Sequence, residues 1–232
     1  MDRIVVSSFI PKEIRINESL KTLRTNLMFS GPSVRVFGFT SFGPGEGKTT
    51  ISLQTAISFA QLGKRVLLVD ADLRKSVLAG QLRLRTKVEG LSHYLSGLAN
   101  VNELLHETDI PGLYIMFAGM RVPNSTELLG SENFARLIPA LKEVFDYVVV
   151  DTAPVGQVID CALVAPHLDG VAMVIDATRN SHKLERRVKN QLEKSGGKVL
   201  GVVLNQVDLT RERGYYGRYY GDYNYYTTDN KR

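Results

Sequence analysis

A single cysteine, Cys161, in 232 residues rules out an intrachain disulfide, a CxxC pair and any thiolate cluster for zinc or for iron and sulfur. The four histidines, His93, His106, His167 and His182, are scattered without metal-ligand spacing, so structural or solvated roles are expected of them. No stretch reaches the roughly eighteen uninterrupted apolar residues of a membrane-spanning helix. The opening "MDRIVVSSFIPKE" has neither the basic start nor the apolar run of a signal peptide. A chain suited to a reducing cytoplasm, without a membrane span of its own, is the expectation. Charge of one sign is not extreme: 29 basic against 24 acidic residues give +5, a lean toward an anionic partner such as nucleotide, nucleic acid or the inner leaflet.

Tyrosine is scarce as well until the end. Of ten tyrosines, seven fall within "RGYYGRYYGDYNYY", Arg213 to Tyr226. That stretch holds no aliphatic residue, and its glycines and charges break both helix and strand, so these rings are not expected in a core. From the residues alone it reads as a nucleic-acid stacking platform, an aggregation-prone tract, an irregular packed tail or a set of hydroxyl substrates. A stacking platform needs a basic groove, and residues 211–232 carry five positive charges against three negative; nucleic acid is therefore not an expected partner.

Apolar runs recur along the rest of the chain: "VFGFT", "RVLLVDA", "LYIMF", "YVVVD", "VAMVID" and "VLGVVLN". Short continuous runs of this kind suit strands buried on both faces. Segments of helical length lie between them, such as Thr49 to Leu62 and Ser181 to Lys194. The alternation predicts one α/β domain over residues 1–208, a doubly wound and mainly parallel sheet with helices on both faces. A leading helix is expected over about residues 12–29, and residues 209–232 read as a mobile tail. Between Arg83 and Leu113 the pattern is less clear. The basic run "KLERRVKNQLEK" reads as a solvated helix face.

"FGFTSFGPGEGKTTISLQTA" sets a glycine-rich turn between a strand and a helix. Its glycines, Gly43, Gly45 and Gly47, let backbone amides approach oxyanions, the helix N-terminus adds partial positive charge, and Lys48 reaches terminal phosphates. The loop from Gly43 through Pro44, Gly45, Glu46, Gly47, Lys48 and Thr49 to Thr50 is the candidate nucleotide site, with ATP as ligand and Thr49 a ligand for Mg²⁺. Phe42 stands where the strict GxxxxGK[ST] spacing has its first glycine. "VLLVDADLRKS" ends a strand with Asp70 and Asp72, two apart and aimed alike, and "YVVVDTAPV" does the same with Asp151. Such acids converge above a phosphate loop, where they hold Mg²⁺ and orient a nucleophile. Arg74 is a candidate contact to phosphate or to a neighbour's tail, and equally an exposed basic residue.

Taken together, "PGEGKTT", "VLLVDADLRK", "FDYVVVDTAPV", "VPNSTELLGS" and the tyrosine-rich tail resemble the bacterial tyrosine kinases of capsule and exopolysaccharide synthesis, of the CpsD or CapB type. These belong to the P-loop superfamily of MinD and ParA, and the resemblance runs over nearly the whole chain. It implies autophosphorylation of Tyr215, Tyr216, Tyr219, Tyr220, Tyr223, Tyr225 and Tyr226, with Asp70 as base, Lys48 on the phosphates, and Asp72 and Asp151 serving magnesium. In related folds the end of "VVLNQVD" lies near the nucleotide edge, which makes Asn205 and Asp208 adenine-side candidates. The resemblance further implies a transmembrane adaptor of the polysaccharide co-polymerase type that recruits the chain to the inner face of the plasma membrane, a cognate tyrosine phosphatase, and a homo-oligomeric ring when unphosphorylated. "ESLKTLRTNL" resembles the family's assembly signature through Glu18, Lys21 and Arg24. Lys21 stands where arginine is usual and lacks its planar fork.

Two other classes compete. A MinD-like or ParA-like positioning ATPase would carry a lysine early in the phosphate loop, where this chain has Gly43, and leaves the tyrosines without a task. A nucleotide-binding scaffold would not need all three aspartates.

Overall fold

The aliphatic runs form strands because each is apolar at successive positions and has helices to cover both of its faces. In the computed structural model, which describes residues 3–84, 86–179 and 182–207, α1 (Ile14–Phe29) precedes β1 (Val36–Ser41), α2 (Lys48–Ala60) and β2 (Val66–Asp70). Then come α3 (Leu78–Gln81), α4 (Leu91–Leu95), β3 (His106–Glu107), β4 (Leu113–Met116), α5 (Ser125–Leu129) and α6 (Glu132–Val144). The described chain closes with β5 (Tyr147–Asp151), α7 (Asp160–Val164), β6 (Gly170–Asp176), α8 (His182–Lys194) and β7 (Val199–Asn205). The sheet runs β3-β4-β2-β5-β1-β6-β7, parallel at every pairing except β3 with β4. All six strands read from the sequence are present. The seventh, β3, is two residues long and too short to show a period; with Ile4 bridging to Thr108 it finishes the sheet edge.

Each face of the sheet has its own core. On one, Leu67, Val69, Val148, Val150 and Met173 pack under α4 to α8, through Leu91, Phe134, Leu141, Cys161, Val188 and Leu192. On the other, Phe37, Phe39, Leu68, Val149 and Val174 pack under α1 and α2, through Leu27, Leu53, Ile57 and Phe59. Alternate strand residues serve opposite cores, so the period of two sets which way each strand-end acid points. Val69 and Val150 face α4 to α8; Asp70 and Asp151, one residue on, face α2.

The histidines outside α8 are structural. His106 and His167 pack edge-on against Phe117 and Phe134, at 5.3 and 5.7 Å between ring centres, and His93 accepts the Gly90 amide at 3.2 Å. Burial pushes the Cys161 thiol up, away from its reactive thiolate form.

Strand order reverses at β1. The chain leaves β1 toward β2 on one side, whereas β6 returns on the other, with β5 and β6 as the two neighbours of β1. A crevice opens at the carboxyl ends of the strands at such a point, and the glycine loop after β1 lies there.

Candidate functional site

Gly45 and Gly47 take left-handed conformations, φ +80° and +87°, and Gly47 forms the N-cap of α2. Three side chains from beyond β6 and β7 hold the loop from outside. Arg179 donates to the Pro44 carbonyl at 3.1 Å, Gln206 to Gly45 at 3.3 Å and Asn205 to Glu46 at 2.9 Å. In a trans peptide the carbonyl of one residue and the N–H of the next point opposite ways. Fixing those three carbonyls therefore turns the amides of Gly45, Glu46 and Gly47 the other way, away from Arg179, Asn205 and Gln206. None of these amides donates elsewhere among the described residues. Three aligned free donors at a helix N-terminus form an anion cradle.

The Glu46 side chain does not enter that cradle. It is buried and folds back within the loop, accepting the Phe42 amide at 2.9 Å, and burial raises its carboxyl despite this bond and one from the Gly43 amide. Glu46 thus offers a ligand only its backbone. Thr49 is buried at the first turn of α2, its hydroxyl 3.4 Å from Lys48 Nζ, and Thr50 is half-buried.

Below the loop, Lys48 Nζ donates to Asp151 Oδ1 at 2.6 Å with both side chains buried, and Ser52 Oγ donates to the same oxygen at 3.2 Å. Burial alone would lower the ammonium; Asp151, with help from Asp72 and Asp70, outweighs it and holds Lys48 above its usual value. Asp70 is the direct register partner of Asp151 across β2 and β5. Burial first, and Asp151 second, push its carboxyl up to about 7, against the pull of the Ser76 hydroxyl and Lys48. The Asp72 amide donates to Asp70 at 3.1 Å, and the Asp72 carboxylate accepts the Lys75 amide at 3.0 Å.

The fold therefore brings together Lys48, Thr49, Asp70, Asp72 and Asp151, and sets Asn205 against the loop. Asp208 and the seven tail tyrosines lie outside the described residues. Among the described residues no group of three His, Cys, Asp or Glu side chains is arranged to hold a metal ion by itself. Mg²⁺ takes one or two carboxylates and fills its octahedron with water and phosphate oxygens. Three acids sharing one ammonium also leave a charge deficit that a divalent cation corrects.

The sequence reading missed part of this arrangement. "VAMVIDATRN" ends β6 with an acid, as β2 and β5 end: Asp176 is buried, binds the Thr178 hydroxyl at 2.6 Å and pairs with Arg179 at 3.2 Å. The strand-end pattern was available there, but the role of Arg179 on the loop was not. On α1, Lys21 pairs with Glu18 at 2.7 Å in an exposed i, i+3 bridge. Arg24 instead donates to the Ser58 carbonyl and hydroxyl at 2.8 and 3.1 Å, pinning α1 to α2. Arg74 forks onto Asp160 at 2.7 and 3.0 Å.

Comparison with known proteins adds names to this geometry. An AAA domain family model matches residues 34–178. The chain is 38% identical over 229 residues to "Tyrosine-protein kinase CpsD" of Streptococcus agalactiae, covering 98% of this chain and 97% of that one. It is 41% identical over 211 residues to the Streptococcus pneumoniae protein of the same name, covering 90% and 92%. Among solved structures, the chimerical protein CapA2B2 superposes with a TM-score of 0.80 at 33% identity, over 88% of this chain and 92% of that one.

Two outcomes test the site. Gly47→Ala should abolish nucleotide binding, because a Cβ there lies 2.1 Å from Asn205 Nδ2 at a backbone φ of +87°. Adding Asn205→Ala removes the collision but not the strain of roughly 1–2 kcal/mol, so calorimetry should find binding partly restored; full restoration, or none, would refute the packing described. Asp70→Asn should stabilise the metal-free protein in a pH-dependent way. The carboxyl titrates near 7 when folded and near 3.9 when unfolded. Below about pH 4 both states are protonated; between about 4 and 7 the unfolded state releases a proton that the folded state keeps, so wild-type stability falls as pH rises. Chemical denaturation in chelator should show a gain for Asp70→Asn of about 2–4 kcal/mol at pH 8 that fades by pH 4.

Proposed function

The chain belongs to the bacterial tyrosine-protein kinases of the CpsD/CapB family, and from that premise we propose that it transfers the γ-phosphoryl group of ATP to tyrosines of its own C-terminal cluster, carried by a neighbouring copy. The observation that carries this reading is the buried Asp70 carboxyl beside Lys48 and below three unpaired loop amides. An ATPase positioning switch has no use for seven clustered tyrosines.

The residues divide the work by their chemistry. The amides of Gly45, Glu46 and Gly47 and the ammonium of Lys48 hold phosphate oxygens and stabilise the charge that builds on them. Lys48 changes partner when phosphate arrives, giving up part of its bond to Asp151. The Thr49 hydroxyl, Asp72 and Asp151 would hold magnesium, which would neutralise charge on the phosphates. The tyrosine oxygen forms a bond to the γ-phosphorus as the bridging β–γ P–O bond breaks, ADP leaves, and the hydroxyl proton passes to Asp70. A tyrosine near pKa 10 and an ordinary aspartate differ by about six units, roughly 8 kcal/mol uphill. Burial holds the Asp70 carboxyl above the usual carboxylate range in the metal-free protein, which narrows that gap, and a loose transition state lets the proton leave late.

Asn205 acts on the loop from its outer side, and Asn205 and Asp208 are the proposed adenine-side contacts. Among the described residues no helix is long and apolar enough to cross a membrane. Action at the inner face of the plasma membrane through a transmembrane adaptor of the polysaccharide co-polymerase type is part of this reading and rests on the family. A cognate phosphatase returns the tail to its starting state, and the cycle regulates capsule or exopolysaccharide synthesis. Unphosphorylated copies associate through α1, where Glu18 and Lys21 are exposed with Ile14 and Phe29, while Arg24 fixes the helix to its own domain.

Mass spectrometry of the purified chain with and without Mg-ATP tests the activity. Lys48→Met should lower tail phosphorylation at least about a hundredfold; because it strips the buried Asp151 of its partner, thermal melting checks that the variant folds. Asp70→Asn should bind Mg-ATP nearly as wild type yet transfer slowly; equal losses in affinity and turnover would make Asp70 a magnesium ligand instead. One set of samples tests the partners. Light scattering should give a larger mass for the dephosphorylated than for the phosphorylated chain. Adding the adaptor's cytoplasmic segment should raise the phosphotyrosine signal. Equal masses would remove the assembly cycle, and full activity of the isolated chain would remove the adaptor requirement.

A further inference from the structure

A second basic site lies just beyond the aspartates. Arg74 follows Asp72 by two residues, and its guanidinium is fixed from behind. Nε donates to Asp160 at 2.7 Å, and Nη2 donates to Asp160 at 3.0 Å and to the Thr126 hydroxyl at 2.6 Å. Asp160 is buried and also accepts the Ser125 and Thr126 hydroxyls at 3.1 and 3.2 Å. Its oxygens are fully engaged inside, while the Arg74 side chain stays 37% exposed, with no hydrogen bond from Nη1 among the described residues. Arg74 lines a cleft of about 410 Å³ together with Arg121, Val122 and Pro123. Arg121 is exposed and makes no ion pair among the described residues.

This lining selects a ligand class. The Arg74 charge is matched by Asp160, so Arg74 contributes a fixed donor, and Arg121 contributes net charge. Asp72 and Glu127 lie within the field of Arg74 and oppose a small anion held by charge alone. Val122 and Pro123 offer apolar contact to a ring. An aryl phosphate satisfies both halves. The tail supplies that group once transfer has begun, since every tyrosine in the cluster has another within three residues, no more than about 10 Å of extended chain.

We propose that the cleft between Arg74 and Arg121 binds a phosphotyrosine already formed in the tail of a second copy, so that each transfer primes the next. The inference rests on the reading of the tail as acceptor. It makes phosphorylation of the cluster sequential, with the modified residue anchored on the arginines while a neighbouring hydroxyl is presented to Asp70.

Binding is measured on the wild-type chain without nucleotide, so that no transfer intervenes. Labelled peptides of the sequence from Gly217 to Tyr226 carry no phosphate, phosphate on Tyr220, or glutamate in place of Tyr220. By fluorescence anisotropy the phosphopeptide should bind about tenfold tighter than the unmodified one, and Arg121→Ala should remove that preference. Equal binding of phosphorylated and unmodified peptides, or a preference untouched by Arg121→Ala, would overturn the assignment. A glutamate peptide that binds as well as the phosphopeptide would also overturn it, pointing to a general acidic partner. Arg74→Ala strips the buried Asp160 of its partner and endangers folding; Arg74→Lys, checked by thermal melting, is the second variant and should also weaken the preference. In the active chain, a peptide already phosphorylated on Tyr220 should be modified again with a kcat/KM several-fold above that of the unmodified peptide. Arg121→Ala should equalise the two without slowing the first transfer, and an equal fall in both would place Arg121 in the chemistry instead. Failure of the kinase reading is separable, because it appears as absence of phosphotyrosine in wild type with Mg-ATP.

Discussion

Compensation of buried charge at the carboxyl edge of the sheet is the constraint on which the site depends. Asp70, Asp72 and Asp151 are delivered there by strand ends whose preceding residues are committed to the two cores. Lys48 alone, at the start of α2, answers them directly, through the 2.6 Å bond to Asp151. A buried ion pair with excellent geometry roughly offsets its own desolvation, but one ammonium cannot offset three carboxylates. The excess appears at Asp70, whose carboxyl rises to about 7. The same imbalance that disfavours the metal-free fold leaves the site in want of a divalent cation. Stability given up at a functional carboxylate is the usual trade between stability and activity.

Position of the phosphate loop is a separate matter, and the opposite side of the sheet decides it. Glycines permit the turn, but permission is not orientation. Orientation comes from Arg179, Asn205 and Gln206, which hold three consecutive carbonyls from the ends of β6 and β7. Arg179 is steadied in turn by the buried Asp176. The loop is therefore clamped between Lys48 and β5 below and the last two strands at its flank, so movement of β7 would be felt by the amides. The segment carrying the tyrosine cluster continues from β7, which joins loop geometry and tail covalently within one chain.

Six strands were legible in the sequence because both-face burial writes an unbroken aliphatic run, and β3 was not because two residues carry no period. Lys48, Asp70, Asp72 and Asp151 were legible because their chemistry is local: a glycine turn into a helix, or an acid at the end of a run. Asp176 ends a run in the same way and was passed over. Arg179 and Gln206 act through single bonds to backbone carbonyls across more than a hundred residues of sequence, and no local pattern announces such a contact. Arg24 shows the converse. Its spacing from Glu18 reads as an exposed charge array, yet tertiary packing spends its guanidinium on Ser58, which a helical wheel cannot reveal.

Groups of opposite sign border the chain that leaves β2. The strand end presents carboxylates at Asp70 and Asp72, whereas the cleft lined by Arg74 and Arg121 offers the net charge of Arg121 beside a guanidinium that Asp160 already matches. An unmodified tail, with five positive charges against three negative over residues 211–232, suits the first of these. Each phosphorylated tyrosine adds roughly 1.5 to 2 negative charges, and within the Debye length of about 8 Å that charge is repelled by the acids that helped to make it. On the proposed reading, the new phosphate need not leave the protein to escape them, because the arginine-lined cleft is within reach. A single reversal of charge would then both clear the reaction site and retain the chain for another turn. Repulsion at the acids grows with every phosphate added, whereas the cleft holds one at a time. On that reading, progressive modification moves the balance from retention to release.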